Sequence, residues 1–255
     1  MNNTIKPLKI ALLSDPHIVE TDDINYRQWQ NALEKTKKLN PDLYLIAGDL
    51  TNTGSENGAK AFKKSTKGID KPVLFVPGNH DIGNKRLESK EGEISRQKVA
   101  KYREYFGPDF YGEKHHGFQI ICLNSQLFQS GLEEEKAQLT FLKAQLALDC
   151  PKIILMHSPL YLLDKNEPGG NYWNAEPLAR KEILDLIRET QVLAVLSGHM
   201  HKLIVNYADT LHLCCPPLSF GIPESYLGQS FVTLDVSLSN IHFELHHVES
   251  LYTKD

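Results

Sequence analysis

The sequence predicts an α/β fold, and three observations carry that reading. Short apolar runs recur along the chain: LKIALLSD, PDLYLIAGD, KPVLFVPGN, FQIICLNS, PKIILMHSP and QVLAVLSGH. The first three hold Ile, Val, Leu and Phe on both faces, as strands covered on both sides do. Helical patterns lie between the runs, and such alternation makes parallel pairing the expected arrangement.

Each element has a local reason. After the first run at residues 8–15, residues 25–39 place Trp29, Leu33, Thr36 and Leu39 at helical spacing. The second run, 41–49, is followed by a lysine-rich, weaker helix over 56–68, and the third ends in a Pro-Gly-Asn turn. From residue 133, EEEKAQLTFLKAQLALD is a strong amphipathic helix whose three glutamates sit where the helix dipole favours negative charge. Another helix spans 175–189, after the loop DKNEPGGNYWN. Past SGHMHK the alternation changes, because LIVNYA, TLHLCC, SFVTLDVS and IHFELHHV are separated only by short turns, and a largely antiparallel section is expected.

At 255 residues with 41% hydrophobic and 24% charged side chains, the chain can bury a substantial core. No repeat, low-complexity block or linker interrupts it, so one domain over residues 1–255 is expected. The formal charge of -4 is spread without a basic stripe, which argues against nucleic-acid partners and leaves small or protein-borne phosphates open. Cys122, Cys150, Cys214 and Cys215 show no metal-knuckle spacing and suit no disulfide framework; Cys214 and Cys215 read as small buried hydrophobes. The N-terminal apolar run is far shorter than a signal peptide's core, and no run approaches the roughly 20 apolar residues of a membrane span. The expectation is a soluble cytoplasmic protein with no membrane partner, its oligomeric state unset by the sequence.

The polar residues fall where the strands end. LLSDPH ends in Asp15 and His17, LIAGD in Asp49, FVPGNHD in Asn79, His80 and Asp81, ILMH in His157, and VLSGHMH in His199 and His201. Carboxyl ends of strands in an open α/β sheet line one crevice, where ligands bind. Singly, each residue has an ordinary role as turn former, cap or buried histidine. Together, buried Asp and His without a cation would leave charges unpaired at a cost of roughly several kcal/mol. Imidazole, carboxylate and amide oxygen without thiolate suit Mn, Fe, Zn, Co or Ni, and seven such ligands suit two ions sharing a carboxylate better than one ion.

In order, the motifs are D-x-H, G-D, G-N-H-D, H and G-H-x-H, and from about residue 8 to residue 202 the pattern resembles the calcineurin-like metallophosphoesterases. The resemblance implies a four-layer αββα sandwich, two central β-sheets flanked by helices, with the final strands suiting the second sheet. It implies a centre of two divalent metal ions (Mn, Fe, Zn or similar): Asp15, His17 and His201 on the first, Asn79, His157 and His199 on the second, and Asp49 as the bridge. By the same resemblance His80 points at the phosphate and Asp81 orients its ring. The implied activity is hydrolysis of a phosphoester, on a small molecule or a phosphoprotein, with a metal-activated hydroxide as nucleophile.

The sequence also departs from parts of the family. Asn52 stands where the purple acid phosphatase branch carries an iron-binding tyrosine, so a tyrosinate-bound ferric site is not expected. No arginine pair follows GNHD closely, although Arg86 lies near enough to reach a phosphate. GDLTNTG is similar to class III cyclic-nucleotide phosphodiesterases; GNHDIGN, YREYFGPDFY and NYWN are closer to calcineurin-like phosphoesterase-domain proteins allied to a serine/threonine protein phosphatase. A cyclic-nucleotide phosphodiesterase is therefore the alternative to a phosphomonoesterase, with a non-catalytic scaffold and a nuclease ranked below both. Tyr172 and Trp173 either stack on a nucleobase or leaving group, or plug the scaffold. Asn84 is a candidate phosphate contact, as is Asn124, which equally suits a turn; His115, His116, His246 and His247 are expected to be structural or surface residues.

Overall fold

Side-chain alternation along β1 (Leu8–Leu13) sets the layering. Leu8, Ile10 and Leu12 point into a core that also holds Leu43 and Leu45 of β2 (Leu43–Ile46) and Leu74 of β3 (Val73–Phe75). Across that core stand Phe118, Ile120 and Cys122 of β5 (Phe118–Cys122), Ile153 and Leu155 of β6 (Lys152–Leu155), and Ala194 and Leu196 of β7 (Val192–Ser197). Two sheets thus face each other. The computed structural model describes residues 5–85, 92–207, 210–219 and 229–252, and Arg86 lies outside the described residues.

The opposite faces of the sheets are covered by helices. Ala11, Leu13, Tyr44 and Ile46 pack against Trp29 and Leu33 of α1 (Ile24–Lys37) and Phe62 of α2 (Glu56–Thr66). The Trp29 indole also donates to Ser65 Oγ over 2.8 Å, tying the two helices together. On the other side Ile121, Ile154 and Val195 meet Leu142 and Leu146 of α5 (Glu133–Leu146) and Ile183 and Ile187 of α6 (Pro177–Arg188). The result is the expected four-layer αββα sandwich.

One turn of helix, α3 (Asn79–Ile82), follows β3 directly. Two further elements went unanticipated: α4 (Arg96–Phe106) and β4 (Tyr111–His115). Val99 and Tyr102 of α4 are buried and Phe106 packs beside them, a short i, i+3, i+7 stripe that sequence reasoning passed over among the charged residues of the segment. YGEKH, the sequence of β4, is an edge strand with no apolar run, paired antiparallel to β5 alone.

The C-terminal strands divide between the sheets, which corrects their assignment to the second. β8 (Ile204–Tyr207) and β9 (Leu211–Cys214) extend it, giving the order β4-β5-β6-β7-β9-β8. β10 (Ser230–Val236) and β11 (Ile241–His247) instead complete the first as β11-β10-β1-β2-β3. Val232, Leu234 and Val236 enter the inter-sheet core beside β1, while Phe231 on the other face of β10 packs into the helix-side core. The section is mostly antiparallel as expected, except that β9 runs parallel to β7. Parallel pairing of β1, β2 and β3, and of β5, β6 and β7, brings their carboxyl ends together.

Candidate metal centre

Backbone turns at these carboxyl ends aim the side chains inward. Asp15 and His17 follow β1, Asp49 follows β2, Asn79 and His80 open α3, His157 follows β6, and His199 and His201 follow β7. Asp15, His17, Asp49, His199 and His201 all have left-handed backbones, with φ of 53°, 45°, 50°, 70° and 51°. Among the described residues only three other non-glycines share that region, so the strain is concentrated here. Cross-links between the turns hold it: His17 N donates to Asp49 O over 2.9 Å, Gly198 N to His157 O over 2.9 Å, and His199 N to Asp15 Oδ2 over 3.1 Å. Two close approaches need glycine. A Cβ on Gly78 would lie 2.1 Å from Asp49 Oδ1, and one on Gly198 would lie 1.8 Å from Ser14 Oγ.

The ligating atoms form two groups joined by one carboxylate. In the first, Asp15 Oδ1 lies 3.4 Å from His201 Nε2 and 3.8 Å from His17 Nε2. In the second, His157 Nε2 lies 3.1 Å from Asn79 Oδ1 and 3.2 Å from His199 Nδ1. Asp49 Oδ2 faces both, 3.4 Å from His17 Nε2 and 3.3 Å from His157 Nε2. Hydrogen bonds select the inward atoms. His157 directs Nδ1 at Ala47 O over 2.7 Å and His199 directs Nε2 at Tyr172 O over 3.2 Å, which leaves His157 Nε2 and His199 Nδ1 turned toward the centre. Asp49 Oδ1 accepts from the His80 N–H at 2.9 Å, and Asp15 Oδ2 accepts from Ser14 Oγ as well as His199 N.

Charge in the cluster is strongly coupled to these contacts. Burial opposes ionisation of Asp49 and Asp15, yet the surrounding histidines hold both carboxyls below the usual carboxylate range. Burial likewise opposes a charge on His157, but Asp49 outweighs it and lifts the ring to about 9. His199, buried and beside the His157 charge, falls to about 3. Asp15 Oδ1 is buried, faces the His201 and His17 rings, and accepts no well-formed hydrogen bond from the described residues. An orphaned carboxylate oxygen and inward-turned ring nitrogens, with no thiolate among them, fit divalent cations.

All seven residues expected as ligands come together, and His80 joins His17 and Asp49 in a third potential ligating group. Its ring stands edge-on to His17, 4.3 Å between centroids. Asp81 departs from expectation. Its carboxylate accepts from Leu50 N, Thr51 N, Thr51 Oγ1 and Gly78 N, while the His80 ring places Nδ1 2.9 Å from Asn52 O. Four donors from the β2 and β3 turns consume the capacity that ring orientation would need. Burial and the Asp49 charge raise Asp81 to about 6.

The outlying candidates separate. Tyr172 reaches the centre, accepting from Asn79 Nδ2 at 2.8 Å and packing its ring, tilted by 35°, 4.8 Å from that of His199. Trp173 packs edge-on against Tyr172 and is 45% exposed. Asn84 is buried, its side-chain amide makes no hydrogen bond to the described residues, and its backbone pairs with Gly92 and Ile94. Asn124 caps a short 3₁₀ turn and binds Asp109, the turn-forming role. Sequence reasoning missed Asn52, Ala47 and Ser14. The first two act through carbonyl oxygens, which no side chain advertises; Ser14, next to Asp15, was the one visible signal.

Comparison with known proteins agrees with this geometry. The pattern described as calcineurin-like phosphoesterase matches residues 8–203. The chain is 26% identical over 193 residues to the serine/threonine-protein phosphatase CPPED1 of Homo sapiens, covering 69% of this chain but 59% of that protein. It is 30% identical over 218 residues to a probable glycerophosphodiester phosphodiesterase, GpdQ, of Arcobacter nitrofigilis, covering 76% and 71%. A dimetal phosphatase from Danio rerio shares the fold at a TM-score of 0.67 and 13% identity, over 94% of this chain and 96% of that one. With the family pattern spanning most of its length and all five motifs meeting at one place, the chain belongs to the calcineurin-like phosphoesterase family.

Proposed function

We propose that the protein hydrolyses phosphoesters at a dinuclear metal centre. The observation that carries this reading is Asp49 Oδ2, set between His17 Nε2 at 3.4 Å and His157 Nε2 at 3.3 Å. Asp15, His17 and His201 would hold one ion, Asn79, His157 and His199 the other, and Asp49 both. When bound, such ions lower the pKa of water and draw charge from phosphoryl oxygens. The chain supplies the rest. With Nδ1–H donating to the Asn52 carbonyl, His80 turns Nε2 to the cleft, and in its doubly protonated, imidazolium form it would pass the Nε2 proton to the departing oxygen and be left neutral. A cleft of about 430 Å³ opens beside it, with Asn52, Gly54 and Gly83 in its walls and Lys98 and Lys101 at its edge, amines suited to an anionic ester.

A phosphomonoester on a small molecule or phosphoprotein is the first reading, in keeping with the phosphatase named among the relatives. Hydrolysis of a diester, cyclic nucleotides included, is the second, favoured by the likeness to a probable phosphodiesterase. The protein loaded with Mn²⁺ should turn over 4-nitrophenyl phosphate, and its rates on the bis-ester, cyclic AMP and a phosphoserine peptide rank the two readings. Absence of turnover with every ester under Mn²⁺, Fe²⁺ and Zn²⁺ overturns both. One domain over residues 1–255 and a cytoplasmic location complete the proposal; four buried free thiols accord with a reducing compartment. Among the described residues no helix is long and apolar enough to cross a membrane.

A further inference from the structure

The loop between β6 and α6 is built around a buried arginine. Arg180, 1% exposed, donates Nη1 to the carbonyls of Lys165 and Glu167, at 3.1 and 2.8 Å, and Nη2 to that of Ala175 at 3.1 Å. Glu167 in turn accepts from Leu162 N at 2.7 Å and Leu163 N at 3.1 Å, while Glu176 accepts from Gly170 N at 2.9 Å. Asn171 Oδ1 accepts from Trp173 N at 2.9 Å, fixing the backbone on either side of Tyr172. A loop held at so many points presents Tyr172 in one place.

That place is against two of the second group's ligands at once. The Tyr172 hydroxyl accepts from Asn79 Nδ2 at 2.8 Å, and the Tyr172 carbonyl faces His199 Nε2 at 3.2 Å. An asparagine amide is pseudosymmetric and coordinates only through oxygen. Whatever accepts from Nδ2 therefore decides that Oδ1 turns toward His157 Nε2, 3.1 Å away. The carbonyl does the same for His199, whose Nε2 proton it takes so that Nδ1 faces inward.

We infer that Tyr172 is a positioning residue for the second metal site, its hydroxyl setting the Asn79 amide, and not a platform for substrate. The inference rests on the dinuclear reading of the centre. In Tyr172→Phe the ring and its packing on His199 remain while the hydroxyl that accepts from Nδ2 is lost, so the amide is released to turn its nitrogen toward His157.

Manganese titration by calorimetry, with metal analysis of the gel-filtered protein, tests this without recourse to turnover. Tyr172→Phe should leave one ion bound as in the parent and weaken the other about tenfold or more, and saturating Mn²⁺ should restore kcat at an unchanged KM. Unchanged affinity for both ions, with or without a raised KM, overturns the inference and leaves the dinuclear centre standing. A parent protein that binds no second ion overturns both.

Discussion

His80 Nδ1 lies 2.9 Å from the backbone carbonyl oxygen of Asn52, so the ring is steered by the segment after β2 and not by the adjacent Asp81. The two neighbours in GNHD thus have separable tasks. His80 faces the cleft, and Asp81 staples the turns after β2 and β3 through Leu50, Thr51 and Gly78.

Replacing each therefore fails differently. His80→Ala should lower kcat by about 10²- to 10⁴-fold while the metal content stays at the parent value. Asp81→Asn sets an NH₂ group against backbone donors and should cost about 1–3 kcal/mol of stability in urea unfolding. A metal-depleted His80→Ala protein would contradict the division of roles.

Metal dependence should centre on Asp49. Chelation should abolish turnover and added Mn²⁺ restore it, whereas Asp49→Asn should fail to retain two ions after gel filtration even in excess metal. Both ions retained in that variant, counted by elemental analysis, would remove Asp49 as the bridge.

Gly78 offers a steric test. Its backbone φ of -110° is open to any residue, so Gly78→Ala acts only through its new methyl, 2.1 Å from Asp49 Oδ1. The methyl would also lie 2.3 Å from Asp49 N, so the carboxylate and the turn that carries it must both move, and with them the alignment of His17 and His157. Metal affinity and kcat should both drop about tenfold or more, with helix and strand content unchanged by circular dichroism.

Away from the centre, His212 on β9 makes folding sensitive to acid. Burial pushes its pKa down to about 4; it packs on Tyr161, 4.7 Å between rings, beside a cavity also lined by Lys165 and Arg188. The unfolded chain takes up this proton near pH 6.5 and the folded protein only near pH 4. The stabilisation is therefore complete above about pH 6.5 and lost as pH falls toward 4, the loss at pH 5 amounting to about 2 kcal/mol. His212→Gln should lose less stability than the parent between pH 7 and pH 5, measured by urea unfolding; equal losses would exclude the ring as the source.

Much of this was legible in the chain. The strands announce themselves because those buried on both faces need continuous apolar runs, as LKIALL and KIIL show, and α6 because its apolar spacing matches the helix period; α5, expected to be strongly amphipathic, is only weakly so and buries Gln138 with Leu142 and Leu146. By contrast, β4 buries too little to leave a pattern, α4 has only the short stripe Val99, Tyr102 and Phe106, and the division of β8 to β11 between two sheets depends on which edge offers an unfilled core, as β1 does for β10.

The same boundary runs through the site. The sequence by itself determined the ligand types and their order at strand ends, because a parallel sheet delivers its carboxyl ends to one crevice whatever the details. Only the tertiary structure decided which atoms face inward: Asn52 and not Asp81 holding His80, Tyr172 turned onto Asn79 and not toward solvent, Ala47 setting the His157 ring. Those choices are hydrogen bonds between segments far apart in sequence, several of them made by backbone carbonyls that every residue carries alike, so no local pattern encodes them.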